Sequence, residues 1–255
     1  METVGLIPCA GKGTRLGLPF SKEMLPDIHS LEYRPIILHT IESFKKAGIK
    51  DIIITFNPNK TDLLNYLGNG KHLGVTITYC MHPVAKSLPE SLNEAYHLIK
   101  NKRVVFAMPD TVITPGDAVS RVLQFHEQAK SVVTLGCFVT KNPTSVSVVD
   151  FMENGSTVRN VIEKPKETNL EWMWGMMVWE STFSHTLNHF CTTEEPREGV
   201  KELYVSDALA PHIKKGEVSA LRLEDGRYRD LGTFSEIKKW INTDDNDSEM
   251  YRHMI

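Results

Sequence analysis

A chain of 255 residues, 41% apolar and 24% charged, has the balance of a globular protein and is long enough for one large domain or two small ones. The formal net charge of -3, with no long run of one sign, argues against broad electrostatic binding to nucleic acid or to an anionic membrane. No apolar stretch approaches the ~20 residues needed to cross a bilayer, and the start has no basic segment leading into a hydrophobic one. Cys9, Cys80, Cys137 and Cys191 lie more than fifty residues apart, without CxxC or zinc spacing, so reduced thiols in a cytoplasmic protein are expected.

In chain order, "TVGLIPC" reads as a buried strand that ends in a loop with Gly11, Gly13 and Gly17. "RPIILHTIESFKKAG" predicts a helix, because Ile37, Ile41 and Phe44 recur at i, i+4 and i+7 and Gly48 supplies a stop. "DIIITF" (51–56), "GVTITYC" (74–80) and "RVVFAM" (103–108) are further strands, alternating with helices in "TDLLNYLG", "PESLNEAYHLIK" and "GDAVSRVLQFHEQAK". Short continuous apolar strands between helices imply a largely parallel sheet covered on both faces. The second half changes character. "SVVTLGCFV", "SVSVVDF", "STVRNVIEK" and "WMWGMMVW" are strand-like with few helices between them, which predicts antiparallel or mixed strands. "GVKELYVSDALAPHIKKG" returns to helix, "VSALRLEDGRYRDLGT" reads as a strand pair turning at Asp225–Gly226, and "FSEIKKWI" is a last helix. The end from residue 244 is an acidic tail expected to fray.

The opening loop matches neither familiar phosphate motif. Gly5 and Gly11 are separated by five residues and Lys12 is followed by Gly13, so the Walker template fails; Gly11, Gly13 and Gly17 give G-x-G-x-x-x-G, one position too long for a dinucleotide fingerprint. Glycines just past a strand still let backbone N–H groups approach an anion, and Arg15 and Lys22 add positive charge. A polyphosphate is the expected guest. In parallel sheets the ligand sits beyond the carboxyl ends of the strands, which puts Asp110, after "VVFAM", on the same rim. Asp110 could terminate its strand or hold a divalent metal. Glu163 and Lys164 close another strand before Pro165; if extended, they point to opposite faces, Glu163 to accept from hydroxyls and Lys164 to meet a phosphate. Asp230, in "YRDLGT", would supply a second carboxylate for a magnesium site, with Thr233 capping the helix that follows. In "WMWGMMVW" most side chains read as core, while Gly175 marks a close approach of backbone to a ligand.

In this order, "GKGTRL…SKEMLP", "MPDT", "EKP", "WGMMVW" and "RDLGT" resemble the sugar-1-phosphate nucleotidylyltransferases, the pyrophosphorylases that make UDP-glucose or dTDP-glucose. The resemblance runs from about residue 3 to residue 242. It implies a Rossmann-related, glycosyltransferase-A-like α/β domain with a mixed, mostly parallel central sheet, single over 1–243. The nucleotide-binding half would end near residue 135 and the sugar-binding half would follow. It implies the joining of a nucleoside triphosphate to a sugar 1-phosphate with release of pyrophosphate, using Mg²⁺ on Asp110 and Asp230, in proteins that are commonly homo-oligomers. By position, Pro8, Ala10, Gly11, Gly13 and Thr14 would hold base and phosphates, and Arg15 and Lys22 would grip the phosphates. Glu163 and Gly175 would recognise the sugar, and Lys164 its phosphate. His82 stands about where UTP- and dTTP-using members carry a Gln, and Ser87 or Ser91 replaces a glycine, so uridine, thymidine and cytidine triphosphates all stay open. A cytidylyltransferase of phosphorylated polyols or choline-like alcohols is the runner-up. A glycosyltransferase is disfavoured because Asp110-Thr111-Val112 is no D-x-D motif, and a non-catalytic nucleotide-sugar sensor has little need for a leaving-group arginine.

Overall fold

A computed structural model of the chain describes residues 1–11, 13, 15–83 and 85–242; Thr14 and the acidic tail lie outside the described residues. The first half contains β1 (Thr3–Cys9), α1 (Ile37–Lys46), β2 (Asp51–Phe56), α2 (Thr61–Leu67), β3 (Thr76–Met81), α3 (Leu88–Asn93), α4 (Tyr96–Ile99), β4 (Arg103–Ala107), β5 (Thr111–Thr114) and α5 (Ala118–Ala129). The second contains β6 (Val133–Val139), β7 (Ser147–Phe151), β8 (Val158–Glu163), β9 (Trp172–Trp179), α6 (Ser181–Thr193), α7 (Val205–Lys214), β10 (Val218–Arg222), β11 (Arg227–Asp230) and α8 (Phe234–Ile241).

One sheet runs through both halves in the order β10-β6-β9-β4-β1-β2-β3, with β7 and β8 added beside β9. β1 is parallel to β2 and to β4, β2 to β3, and β6 to β10, whereas β9 runs antiparallel to both β4 and β6. The mixed, mostly parallel sheet of the sequence reading is therefore present. Alternate residues of each strand feed opposite faces. Ile52, Ile54 and Phe56 pack with Ile37, Ile41 and Phe44 of α1, while Val104 and Phe106 pack with Phe183 and Leu187 of α6. Helices thus cover both faces. The chain leaves β1 toward β2 on one side and β4 on the other, so the loops after β1 and β4 open at a topological switch point.

Three expectations need correction, and one element was not anticipated. The strand pair at 218–230 does not exist: β10 joins β6 in the main sheet, and β11 crosses to pair with β5. The helix expected over "PESLNEAYHLIK" is two short pieces, divided at Glu94–Ala95, and "GVKELYVSDALAPHIKKG" is helical only from Val205. A thirteen-residue helix, α6, follows β9 in a stretch for which the sequence suggested no element. Lys164 is not extended: its φ of 39° turns the chain directly after β8.

Candidate active site

The site grows from β1. After its buried run the chain leaves the sheet at Ala10, and Asn57, just past β2, donates to the Ala10 carbonyl at 3.4 Å. The chain returns at Ser21 and forms a single 3-10 turn, Lys22–Met24. Between the loop and the end of β2 lies a cleft of about 570 Å³, lined by Gly13, Ser21, Lys22, Asn57, Lys60 and Asp62 among others, with Pro83 at its edge. The sequence reading named Gly13 and Lys22 but missed the "NPNKTD" wall (57–62). The available signal was position: this stretch follows a buried parallel strand at its carboxyl end, as the opening loop does.

Two carboxylates reach the same rim by different routes. Asp110 follows β4, is almost fully buried, and accepts from Lys22 Nζ at 2.5 Å through Oδ2; its Oδ1 is buried without a hydrogen-bond partner. Asp230 ends β11, directly opposite Thr111 of β5, and the Leu231 N–H donates to the Asp110 carbonyl at 3.0 Å. The short β5–β11 ribbon is what brings the carboxylates together. Gly232 marks their meeting point. Its N–H donates to Asp230 Oδ1 at 2.7 Å, and a methyl on its Cα would lie 2.8 Å from that oxygen, 3.4 Å from Arg15 Nη2 and 3.5 Å from Asp110 Oδ2. Arg15, Lys22, Asp110 and Asp230 therefore form one cluster.

Its electrostatics follow from this crowding. Asp230 keeps a face open to solvent, yet desolvation by the protein around its carboxyl and the charge of Asp110 raise its pKa; the Gly232 N–H, Lys22 and Arg15 pull the other way. Burial works against the charge of Lys22, but Asp110, Glu23 and Asp230 outweigh it and lift the ammonium above the ordinary lysine range. A like-charged pair with an unsatisfied buried oxygen is suited to a divalent cation. Among the described residues no group of three or more His, Cys, Asp or Glu side chains could enclose a metal, so the remaining ligands would have to come from phosphate and water, the usual arrangement for Mg²⁺.

The remaining expected residues divide. Pro8 lies within β1, paired with Thr55, and Ala10 and Gly11 follow the strand into the loop. His82 extends β3, donating its N–H to the Phe56 carbonyl at 2.8 Å, and its Nδ1 stands 3.9 Å from Glu94 Oε2. Ser91 is not at the cleft: it is buried in α3, with its hydroxyl 2.8 Å from that of Thr55. The residue that caps α3 where the loop becomes helix is Ser87. Glu163 accepts from the Ser147 hydroxyl at 2.6 Å at the end of the β7–β8 pair, with Lys164 exposed beside it. Gly175 is buried, and the group that approaches it is the Tyr228 ring, backed by Phe138, so its missing side chain makes room for protein.

The profile of the nucleotidyl transferase family matches residues 4–246. The chain belongs to the nucleotidyl transferase family. This nucleotidyl transferase is 25% identical over 236 residues to the glucose-1-phosphate thymidylyltransferase of Neisseria meningitidis, covering 91% of this chain and 79% of that one. It is 26% identical over 260 residues to the UTP–glucose-1-phosphate uridylyltransferase of Staphylococcus epidermidis, covering 89% and 86%. Among solved structures, a UDP-glucose pyrophosphorylase complexed with UDP-glucose superimposes on this nucleotidyl transferase with a TM-score of 0.79 at 19% identity, covering 100% of both chains. The Acinetobacter baumannii UDP-glucose pyrophosphorylase gives 0.75 at 20% identity, covering 94% and 92%. These likenesses establish the glycosyltransferase-A-like fold.

Proposed function

We propose that this nucleotidyl transferase joins a pyrimidine nucleoside triphosphate (UTP, dTTP or CTP) to a sugar 1-phosphate, releasing pyrophosphate. The observation that carries the proposal is the meeting of Arg15, Lys22, Asp110 and Asp230 around Gly232, beside a cleft wide enough for a nucleotide. A sugar-phosphate oxygen is already ionised at neutral pH, so its in-line attack on the α-phosphorus needs alignment and charge neutralisation without a general base. Lys22 supplies a fixed positive charge at the cleft wall. Arg15, exposed on the same rim, is free to follow the departing pyrophosphate, and its planar fork suits phosphate oxygens. Asp110 and Asp230 would hold Mg²⁺, which when bound neutralises phosphate charge. The exposed Gly11 would let a phosphate approach the backbone, and His82, next to cleft-lining Pro83, is assigned to the base through its position in the family motif. Glu163 and Lys164 are assigned to the sugar and its phosphate through the family motif, and Lys164 is exposed at the turn that follows β8.

The test is pyrophosphate release with Mg²⁺, across the four ribonucleoside triphosphates and dTTP, each with a panel of sugar 1-phosphates and phosphorylated alcohols. Release that requires one pyrimidine triphosphate together with one sugar 1-phosphate is the expected result. Release with alcohol phosphates alone, or none from a folded protein that binds nucleotide sugar, overturns it.

A further inference from the structure

Lys22 stands between two residues that are both tied to the same short segment of chain. Before it, Ser21 donates to Asp62 twice, from its N–H at 2.7 Å and from its hydroxyl at 2.6 Å. After it, Glu23 accepts from Lys60 Nζ at 2.6 Å, and this pair is nearly sealed from water, with side chains 9% and 1% exposed. Three residues earlier in that segment, Asn57 holds the Ala10 carbonyl. Residues 57–62 therefore grip both ends of the glycine loop, at Ala10 and at Ser21–Glu23.

The chemistry of these ties is unusual for simple packing. A buried ion pair contributes little net stability, because desolvation offsets its attraction, and Glu23 Oε2 is left buried with no partner as well. What such an arrangement gains is direction. With Ser21 and Glu23 fixed, the one-turn helix can present Lys22 only along one course, which ends on Asp110. Burial would raise the Asp62 carboxyl, but the Ser21 hydroxyl and N–H bonds hold it below the usual range, so it stays ionised and strongly accepting.

We propose that Lys60 and Asp62 are positioning residues that act on the reaction through Lys22, by fixing the turn on which it sits. The inference rests on the assignment of Lys22 to the reaction centre. Neither side chain need touch the reacting atoms. Their effect should vanish when Lys22 has nothing to position.

A double-mutant cycle reads this directly. Asp62→Ala removes two bonds at a half-buried site and leaves the Glu23–Lys60 pair intact. Its kcat is expected to fall about tenfold, since misplacement of a charged group by a fraction of an ångström is costly, while KM for the sugar phosphate moves less than twofold. In the Lys22→Ala background the same change should alter kcat less than twofold. Ser21→Ala, which removes one bond and keeps the peptide N–H, should show a smaller loss of the same pattern and serves if Asp62→Ala does not fold. A kcat within twofold of wild type, or an equal loss with and without Lys22, overturns the proposal. If Lys22→Ala alone turns over like wild type, the assignment of Lys22 fails first and takes this inference with it.

Discussion

Gly232→Ala is a one-methyl wedge driven into the charge cluster. The added carbon would stand 2.8 Å from Asp230 Oδ1, about 0.6 Å short of ordinary contact, with Arg15 Nη2 and Asp110 Oδ2 closing the other sides. Gly232 has no positive φ, so the backbone accepts alanine, and the loss of chain entropy on folding is reduced by ~0.4–1 kcal/mol. The strain falls on the carboxylate, which must move off the Gly232 N–H it now accepts from. Losing that bond costs ~0.5–1.5 kcal/mol, so the two stability terms nearly cancel and Tm should move by less than about 5 °C. The rate is another matter. A displacement of ~1 Å at a reacting group can cost ~100-fold, so a shift of about 0.6 Å should lower kcat by ~10- to 100-fold, or ~1.4–2.7 kcal/mol of barrier. Pyrophosphate release at saturating substrates reads the rate, and a thermal melt reads the fold. Wild-type turnover in Gly232→Ala would mean that Asp230 and Asp110 do not serve the reaction from these positions.

Asp110→Asn and Asp230→Asn should each lower pyrophosphate release by ~100-fold or more with an unchanged circular dichroism spectrum; full activity of both at limiting Mg²⁺ would remove the metal role. Gly175→Ala should overpack the Tyr228 and Phe138 rings and cost ~1–3 kcal/mol in urea unfolding, whereas intact stability with weakened sugar-phosphate binding would return Gly175 to the ligand. Acid stability tests Asp27: burial alone would raise its carboxyl, but His39, the His29 N–H and Arg34 hold it down at about 2. Its contribution of about 2 kcal/mol is present above the unfolded value of 3.8 and lost as pH falls toward about 2. Asp27→Asn should therefore be less stable than wild type at pH 6, and the gap should close by pH 2; a gap independent of pH refutes the assignment.

The sheet was legible because its strands are continuous apolar runs and the covering helices carry apolar residues at helical spacing, as in Ile37, Ile41 and Phe44. The glycine loop and Asp110 were legible for the same reason, since each follows such a run. The β5–β11 ribbon was not, because two four-residue strands so distant in sequence leave no local sign of pairing. Helix α6 was hidden by composition: "STFSHTLNHFCTT" is rich in weak helix formers, and only Phe183, Ser184 and Leu187 are buried within it. Ser91 and Gly175 show a limit of residue type. A small hydroxyl can be satisfied by Thr55 under a helix, and a strand glycine can admit a tyrosine ring, without any change in the sequence signal. The Lys60–Glu23 and Asp62–Ser21 ties were invisible because each joins ordinary polar residues across roughly 40 positions.

The ribbon also dictates when the protein becomes competent. Thr111 and Asp230 face each other across about 120 residues of intervening chain, so the loop they close must be complete before the second carboxylate arrives. During synthesis the strands β1 to β4, the cleft and the Lys22–Asp110 contact can all form while Asp230 has yet to emerge. A chain cut before Arg227 would keep the residues of the cleft wall and lack the one that completes the carboxylate pair. The carboxylate pair is thus complete only when nearly all of the described chain has been made, because one member sits on β4's exit and the other on the last strand.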